Sequence, residues 1–307
     1  MRRHSLLTIA ALLAACAHHP VQSGDFTFEP RIELPAHPPG GGPRVRIDEA
    51  HCNFHTAAGR YAPFAGLLRR DGFRVEALAH RFSAETLAGT DVLVIANALA
   101  QEKCETWELP TPPAFAADEV DALAIWVSGG GALLLIADHM PFPGAADALA
   151  RAFGLAFIDG YARPQTGGPT IRFERASGLL GEHPITAGRT EAERIDAVVS
   201  FGGQGFRAVR EVDPLLTLPP GTTMYLPTEA GEFDEKTPQF SGEGLLQGTA
   251  FRHGEGRVAM FGEAAMFSAQ ELTLQGRLLQ MGMNAPGAEQ NAQFVLNLMH
   301  WLSGALD

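Results

Sequence analysis

Imidazoles, carboxylates and carboxamides follow several apolar runs of this chain, and these side-chain types can hold a divalent metal or move a proton. The run Arg44-Val-Arg-Ile leads into Asp48, Glu49, His51, Asn53 and His55. Asp91-Val-Leu-Val-Ile-Ala96 leads into Asn97, Ala132-Leu-Leu-Leu-Ile-Ala137 into Asp138 and His139, and Val258-Ala-Met-Phe261 into Glu263. The expected roles are His51, His55 and His139 as metal ligands, Asp138 or Glu263 as acid or base, and Glu49, Asn53 and Asn97 as ligand contacts. Each has a structural alternative. His51 and His55 can bind loop backbone, Asp138-His139 can cap a helix, and Glu263 can pair with an arginine. Spacing decides little, because there is no HExxH, no paired CxxC and no G-x-x-x-x-G-K-[ST]. Gly202-Gly203 with Gly205 is too short for a dinucleotide fingerprint. Trp107, Phe142 and Tyr161 flank expected strand ends and can stack on a sugar ring or seal the core below.

These residues need a frame that delivers them to one edge. Tyr61, Phe64, Ala65 and Leu68 recur at helical spacing after the first run. Val120, Leu123, Ala124 and Val127 do so on a helix over Asp118–Ser128 that Gly129-Gly-Gly131 ends. The third and fourth runs are apolar throughout, as strands covered on both faces are. A helix near Ala145–Phe153 then precedes a strand at Leu155–Ile158. Strand and helix alternate, which predicts an α/β fold with a doubly wound, mostly parallel sheet. His253-Gly-Glu-Gly256 predicts a late antiparallel hairpin, and a helix over Ala288–Leu302 closes the chain. In such sheets ligands bind beyond the carboxyl ends of the strands, where the winding reverses. Residues 44–307 read as one domain, without linker or internal repeat.

Of 307 residues 46% are hydrophobic, and the formal net charge is −12, with no basic run to neutralise phosphates. Nucleic acid is thereby excluded as an expected partner. Arg2 and Arg3, the apolar stretch Leu6–Ala15 and the tetrad Leu13-Ala-Ala-Cys16 describe a secretory signal over 1–15. The tetrad resembles a bacterial lipobox, which implies lipidation at Cys16 and a membrane partner through that anchor. The expected address is the cell envelope, on the outer membrane facing the periplasm. Prolines and Gly40-Gly-Gly42 make 16–43 read as a flexible tether. Cys52 and Cys104 remain, an even pair that suggests a disulfide in an oxidising compartment. The competing reading makes Cys52 a nucleophile.

Ile47-Asp-Glu-Ala-His-x-Asn53, Ala137-Asp-His139, His183-Pro-Ile-Thr-x-Gly188, Gly262-Glu-Ala-Ala-Met-Phe267 and the closing Asn291…Trp301-Leu302 together resemble the class I glutamine amidotransferase-like superfamily. The closest branch is bacterial and related in fold to ThuA-like, gliding-motility and intraflagellar-transport domains. The resemblance implies a flavodoxin-like sheet over most of 44–307. It departs from true amidotransferases at the nucleophile. Their Gly-x-Cys-x-Gly elbow corresponds to Ile136-Ala-Asp-His-Met-Pro141, which has no cysteine, so thioester chemistry on glutamine is not supported. The expected function is hydrolase or lyase chemistry on a small polar or carbohydrate-like ligand. The alternative is a non-catalytic module that binds a saccharide or a protein.

Overall fold

The computed structural model describes residues 21–307 apart from 166, 167, 169, 275 and 276. The signal-like segment and Cys16 lie outside the described residues. Nine strands form the central sheet: β1 (Arg44–Asp48), β2 (Arg74–Leu78), β3 (Val92–Ala96), β4 (Ala132–Ile136), β5 (Leu155–Phe157), β6 (Phe206–Ala208), β7 (Asp213–Thr217), β8 (Leu246–His253) and β9 (Gly256–Phe261). Their order is β2-β1-β3-β4-β9-β8-β6-β5, with β7 also against β8. The first five of that order run parallel, and every pairing beyond β9 is antiparallel.

Every residue of β3 and β4 is buried, because helices cover both faces of the sheet. Alternate residues serve the two sides. Val94 and Leu134 face a core built with Phe64 and Leu68 of α1 (Ala62–Arg70) and Phe294 and Leu298 of the closing helix Asn291–Leu302. Leu93, Ile95, Leu133 and Leu135 face the opposite core, with Leu123 and Val127 of α2 (Ala117–Ser128) and Phe142 and Leu149 of α3 (Phe142–Ala152). Each such leucine or phenylalanine contributes about 1.5–3 kcal/mol by leaving water.

Two expectations about the frame are corrected. The run Leu155–Ile158 does not continue the parallel winding. Its strand lies at the far edge, antiparallel to β6, and the place beside β4 goes to β9, with Arg257 opposite Ala132 and Phe261 opposite Ile136. The late hairpin supplies that strand, since β8 and β9 pair around His253 and Gly256. The described part of the tether is not free either. Val21–Gly24 pairs with Ala269–Leu274, and Phe28 and Ile32 pack against the core. Asp71, fully buried at the end of α1, accepts a hydrogen bond from Ala36 N at 2.8 Å and faces His300 Nε2 at 2.6 Å. Proline and glycine leave a segment few hydrogen bonds of its own, but apolar side chains between them still find the core. Among the described residues no helix is long and apolar enough to cross a membrane.

Candidate functional site

The residues after β1 form a clamp rather than an open site. His51 Nδ1 lies 3.0 Å from both oxygens of Asp48, and its Nε2 lies 2.9 Å from Glu119 Oε1 on α2. Asn53 donates to Asp48 Oδ2 at 2.8 Å and accepts from His51 N at 3.0 Å. Phe82 and Phe115 wall the imidazole, with ring centroids 4.7 and 4.8 Å away. Burial pushes the imidazole toward its neutral form, but the hydrogen bonds and charges of Asp48 and Glu119 outweigh it and raise the His51 pKa. Burial likewise acts to raise Glu119, yet hydrogen bonds from Arg81, Ala116 N, His51 and Phe82 N hold it down to about 2. Both ring nitrogens of His51 are engaged, so neither offers a lone pair to a metal, and Asn53 is spent on the loop. Glu49 accepts from Ala57 N at 2.8 Å. Cys52 and Cys104 are bridged, with Cα atoms 5.7 Å apart, which removes the nucleophile reading of Cys52.

A second buried group links β1, β3 and β4. Asn97, at φ +50°, uses Oδ1 to accept from Asp138 N at 2.9 Å, so its Nδ2 is the atom 3.2 Å from His55 Nδ1. His55 therefore accepts at Nδ1, and its Nε2 lies 3.5 Å from Gln270 Nε2. Burial first, then the charges of Arg60 and His139, push its pKa down to about 3. Glu263 is buried after β9, where Oε1 accepts from Ala265 N at 2.7 Å and Oε2 from Met266 N at 2.9 Å. Burial and the neighbouring Asp138 push its pKa up to about 8, against those backbone bonds. Asp138 is half-buried and accepts from His139 N at 2.7 Å.

The metal expectation is corrected by this geometry. His51, His55 and His139 each have different neighbours, and among the described residues no three His, Cys, Asp or Glu side chains gather as a metal site requires. Neither Asp138, half-buried, nor Glu263, fully buried, is among the residues that line the large cleft at this edge.

That cleft has a volume of about 1110 Å³ and opens beside His139. Its wall is a three-stranded antiparallel sheet of Tyr161–Arg163, Thr223–Tyr225 and Gln239–Ser241. The register pairs Tyr225 with Tyr161 and Gln239, and Thr223 with Arg163 and Ser241. Strand alternation then puts Tyr161, Arg163, Thr223, Tyr225, Gln239 and Ser241 on one face, and all six line the cleft. Of the middle residues Met224 turns to the core, while Ala162 and Phe240 touch the core and also border the cleft. His139 extends this platform. Its ring stacks on Tyr161 with centroids 4.4 Å apart and planes 15° apart. Its Nδ1 donates to Met140 O at 2.8 Å, and its Nε2 has no hydrogen-bond partner among the described residues. Burial raises the Tyr161 phenol, so it stays a neutral hydroxyl.

Gly202-Gly203 forms the adjoining rim, both at positive φ. A Cβ on Gly203 would collide with the carbonyl oxygen of Gly262. Gln247 fixes this rim by donating to Gly202 O at 2.8 Å and Gln204 O at 3.1 Å, and accepts from Ser200 Oγ at 2.6 Å.

Of the aromatics with a stacking expectation, Tyr161 reaches the cleft. Trp107 and Phe142 pack on each other and on Phe54, with centroids 5.4 to 5.6 Å apart. Sequence reasoning passed over Arg163, Thr223, Tyr225, Gln239 and Ser241. Their signal was an apolar residue flanked by polar or aromatic ones, repeated in Tyr-Ala-Arg, Thr-Met-Tyr and Gln-Phe-Ser, and each copy is only a strand of three residues.

No family model matches the chain, and no curated protein matches its sequence. Solved structures do match its fold. The N-terminal domain of mmIFT52 is 13% identical, with 84% of this chain and 97% of that one covered and a TM-score of 0.57. A putative ThuA-like protein from Bacteroides uniformis is 12% identical over 89% of this chain and 94% of its own, with a TM-score of 0.45. Another from Parabacteroides merdae is 12% identical over 86% and 91%, with a TM-score of 0.46. At 13% identity the likeness to the mmIFT52 domain is one of fold alone, and it agrees with the fold relationship to intraflagellar-transport domains expected from the strand-end motifs.

Proposed function

We propose that the protein binds a small polar, carbohydrate-like ligand in the cleft, as a recognition module of the cell envelope. The observation that carries this reading is the sheet face on which Tyr161 and Tyr225 stand among hydroxyl and carboxamide side chains, with His139 stacked on Tyr161 and Phe233 edge-on to both tyrosines. Flat rings cover the apolar face of a sugar, and neighbouring donors and acceptors match its hydroxyls. In calorimetric titration with a panel of neutral oligosaccharides, at least one binds, and Tyr161→Ala weakens it roughly tenfold, the order of an interface anchor. Absence of binding across the panel would sink the reading.

A catalytic version has one observation in its favour. With Nδ1 tied to Met140 O, Nε2 is the ring atom of His139 left to take a proton, as a general base must. Hydrolysis or elimination on the bound ligand would start there, and turnover lost on His139→Gln with binding retained is its signature. We further infer an amidotransferase-like, flavodoxin-like lineage, supported by the parallel order β2-β1-β3-β4-β9 with its reversal beside β1. The turn after β4 holds Asp138-His139 in place of a nucleophilic cysteine. The envelope address rests on the lipobox-like Leu13-Ala-Ala-Cys16. Cells fed labelled fatty acid should label the wild-type chain and leave Cys16→Ser unlabelled, and label on both would remove that address.

A further inference from the structure

We propose that the ligand carries a carboxylate, as an acidic sugar does, and that Arg163 reads it. The proposal rests on the cleft being a saccharide site and adds the charge of what enters. Arg163 stands two residues from Tyr161 on the same platform face, roughly 6–7 Å along the strand. Its guanidinium lies 3.9 Å from the Phe233 ring centroid and 5.6 Å from that of Tyr225. Aromatic faces hold the guanidinium flat by cation–π attraction and leave its N–H edges for a partner. Among the described residues no carboxylate takes that place, although acids outnumber bases in the chain, 35 to 23. Many other arginines have a protein partner: an acid for Arg81 (Glu119), Arg175 (Glu182), Arg189 (Glu193) and Arg257 (Asp307), and a backbone carbonyl for Arg60, Arg69, Arg70 and Arg74.

An unpaired, preorganised guanidinium in an acidic protein is a receptor for a planar anion, and carboxylate matches its paired donors best. Across the strand, Thr223 and then Ser241 continue the row from Arg163 and supply hydroxyls to a second oxygen or a neighbouring ring. The acid among the lining residues is Glu243, exposed on the turn after Ser241. It lies at the same end of the strands as Arg163 but two strands across, so an anionic group held by Arg163 sits on the strand farthest from it, with the sugar ring toward Tyr161 and His139.

The test is a calorimetric titration of the full chain with matched trimers, galacturonate against galactose and glucuronate against glucose. In at least one pair the uronate binds about tenfold more tightly at low salt, and the advantage shrinks as ionic strength rises. Arg163→Gln abolishes that advantage, so that the uronate and the neutral trimer of the pair bind with equal affinity. Arg163→Lys, which keeps charge without the planar stack, keeps part of it. Equal affinity within both pairs would overturn the proposal and leave the saccharide reading standing, as would Arg163→Gln weakening uronate and neutral trimer alike. If no trimer binds, both readings fall together.

Discussion

Replacing His51 by alanine should destabilise the fold by about 3–5 kcal/mol, because it strips the shared cation from two buried carboxylates. Asp48 is fully buried and Glu119 is 2% exposed, and His51 stands between them. Arg81 still pairs with Glu119 from outside, but Asp48 keeps only Asn53 and backbone donors. His51→Phe, which can fill the space between Phe82 and Phe115 without a charge, should be damaged nearly as much. A loss of under 1 kcal/mol in urea unfolding would show that the clamp bears little weight.

The clamp also sets a pH window. The His51 pKa is raised above its ordinary 6.5, so its contribution is complete below that value and is lost as pH rises through the folded pKa. Glu119 is lowered from 4.5 to about 2, so its contribution is complete above 4.5 and is lost as pH falls toward 2. Between about 4.5 and 6.5 both are at full strength. His51→Ala should therefore flatten the alkaline limb of the stability profile, and an unchanged limb would assign it to other groups.

Opening the Cys52–Cys104 bridge should cost about 2–4 kcal/mol, the range expected when a loop of this size is released in the unfolded chain. The bridged residues are 52 apart in sequence. The bond ties the β1 loop to the segment after β3, near Trp107 and Phe54. A paired Cys52→Ser, Cys104→Ser variant should lower the urea midpoint and steepen the slope, because the unfolded chain without the cross-link exposes more surface. Equal midpoints for the wild type with and without reductant would contradict a stabilising bridge.

The frame was legible where both faces of a strand are buried. Continuous apolar runs mark β3 and β4 whatever surrounds them, and the polar residues that follow do reach one edge. Their roles were not legible. Glu119 is 68 residues from His51 in sequence, and nothing local tells that its carboxylate fills the second nitrogen of that ring. As a first-turn acid on its helix it already has a local purpose in complementing the helix dipole. The platform escaped for a different reason. Strands of three residues carry too little alternation to stand out, and only their register aligns Tyr161, Tyr225 and Gln239. Residues 21–43 misled through composition, since proline and glycine signal flexibility while Phe28 and Ile32 decide the docking.

Two of the chain's three tyrosines stand on the platform, and the third, Tyr61, is buried in the core. The most direct measurement is therefore saccharide titration of the wild type beside the double variant Tyr161→Ala/Tyr225→Ala, with urea unfolding of both as a check on the fold. A platform for sugar rings predicts binding by the wild type and its loss, by a hundredfold or more if two anchors of about tenfold each add, in a double variant that remains folded. Wild-type affinity in that folded variant would contradict it.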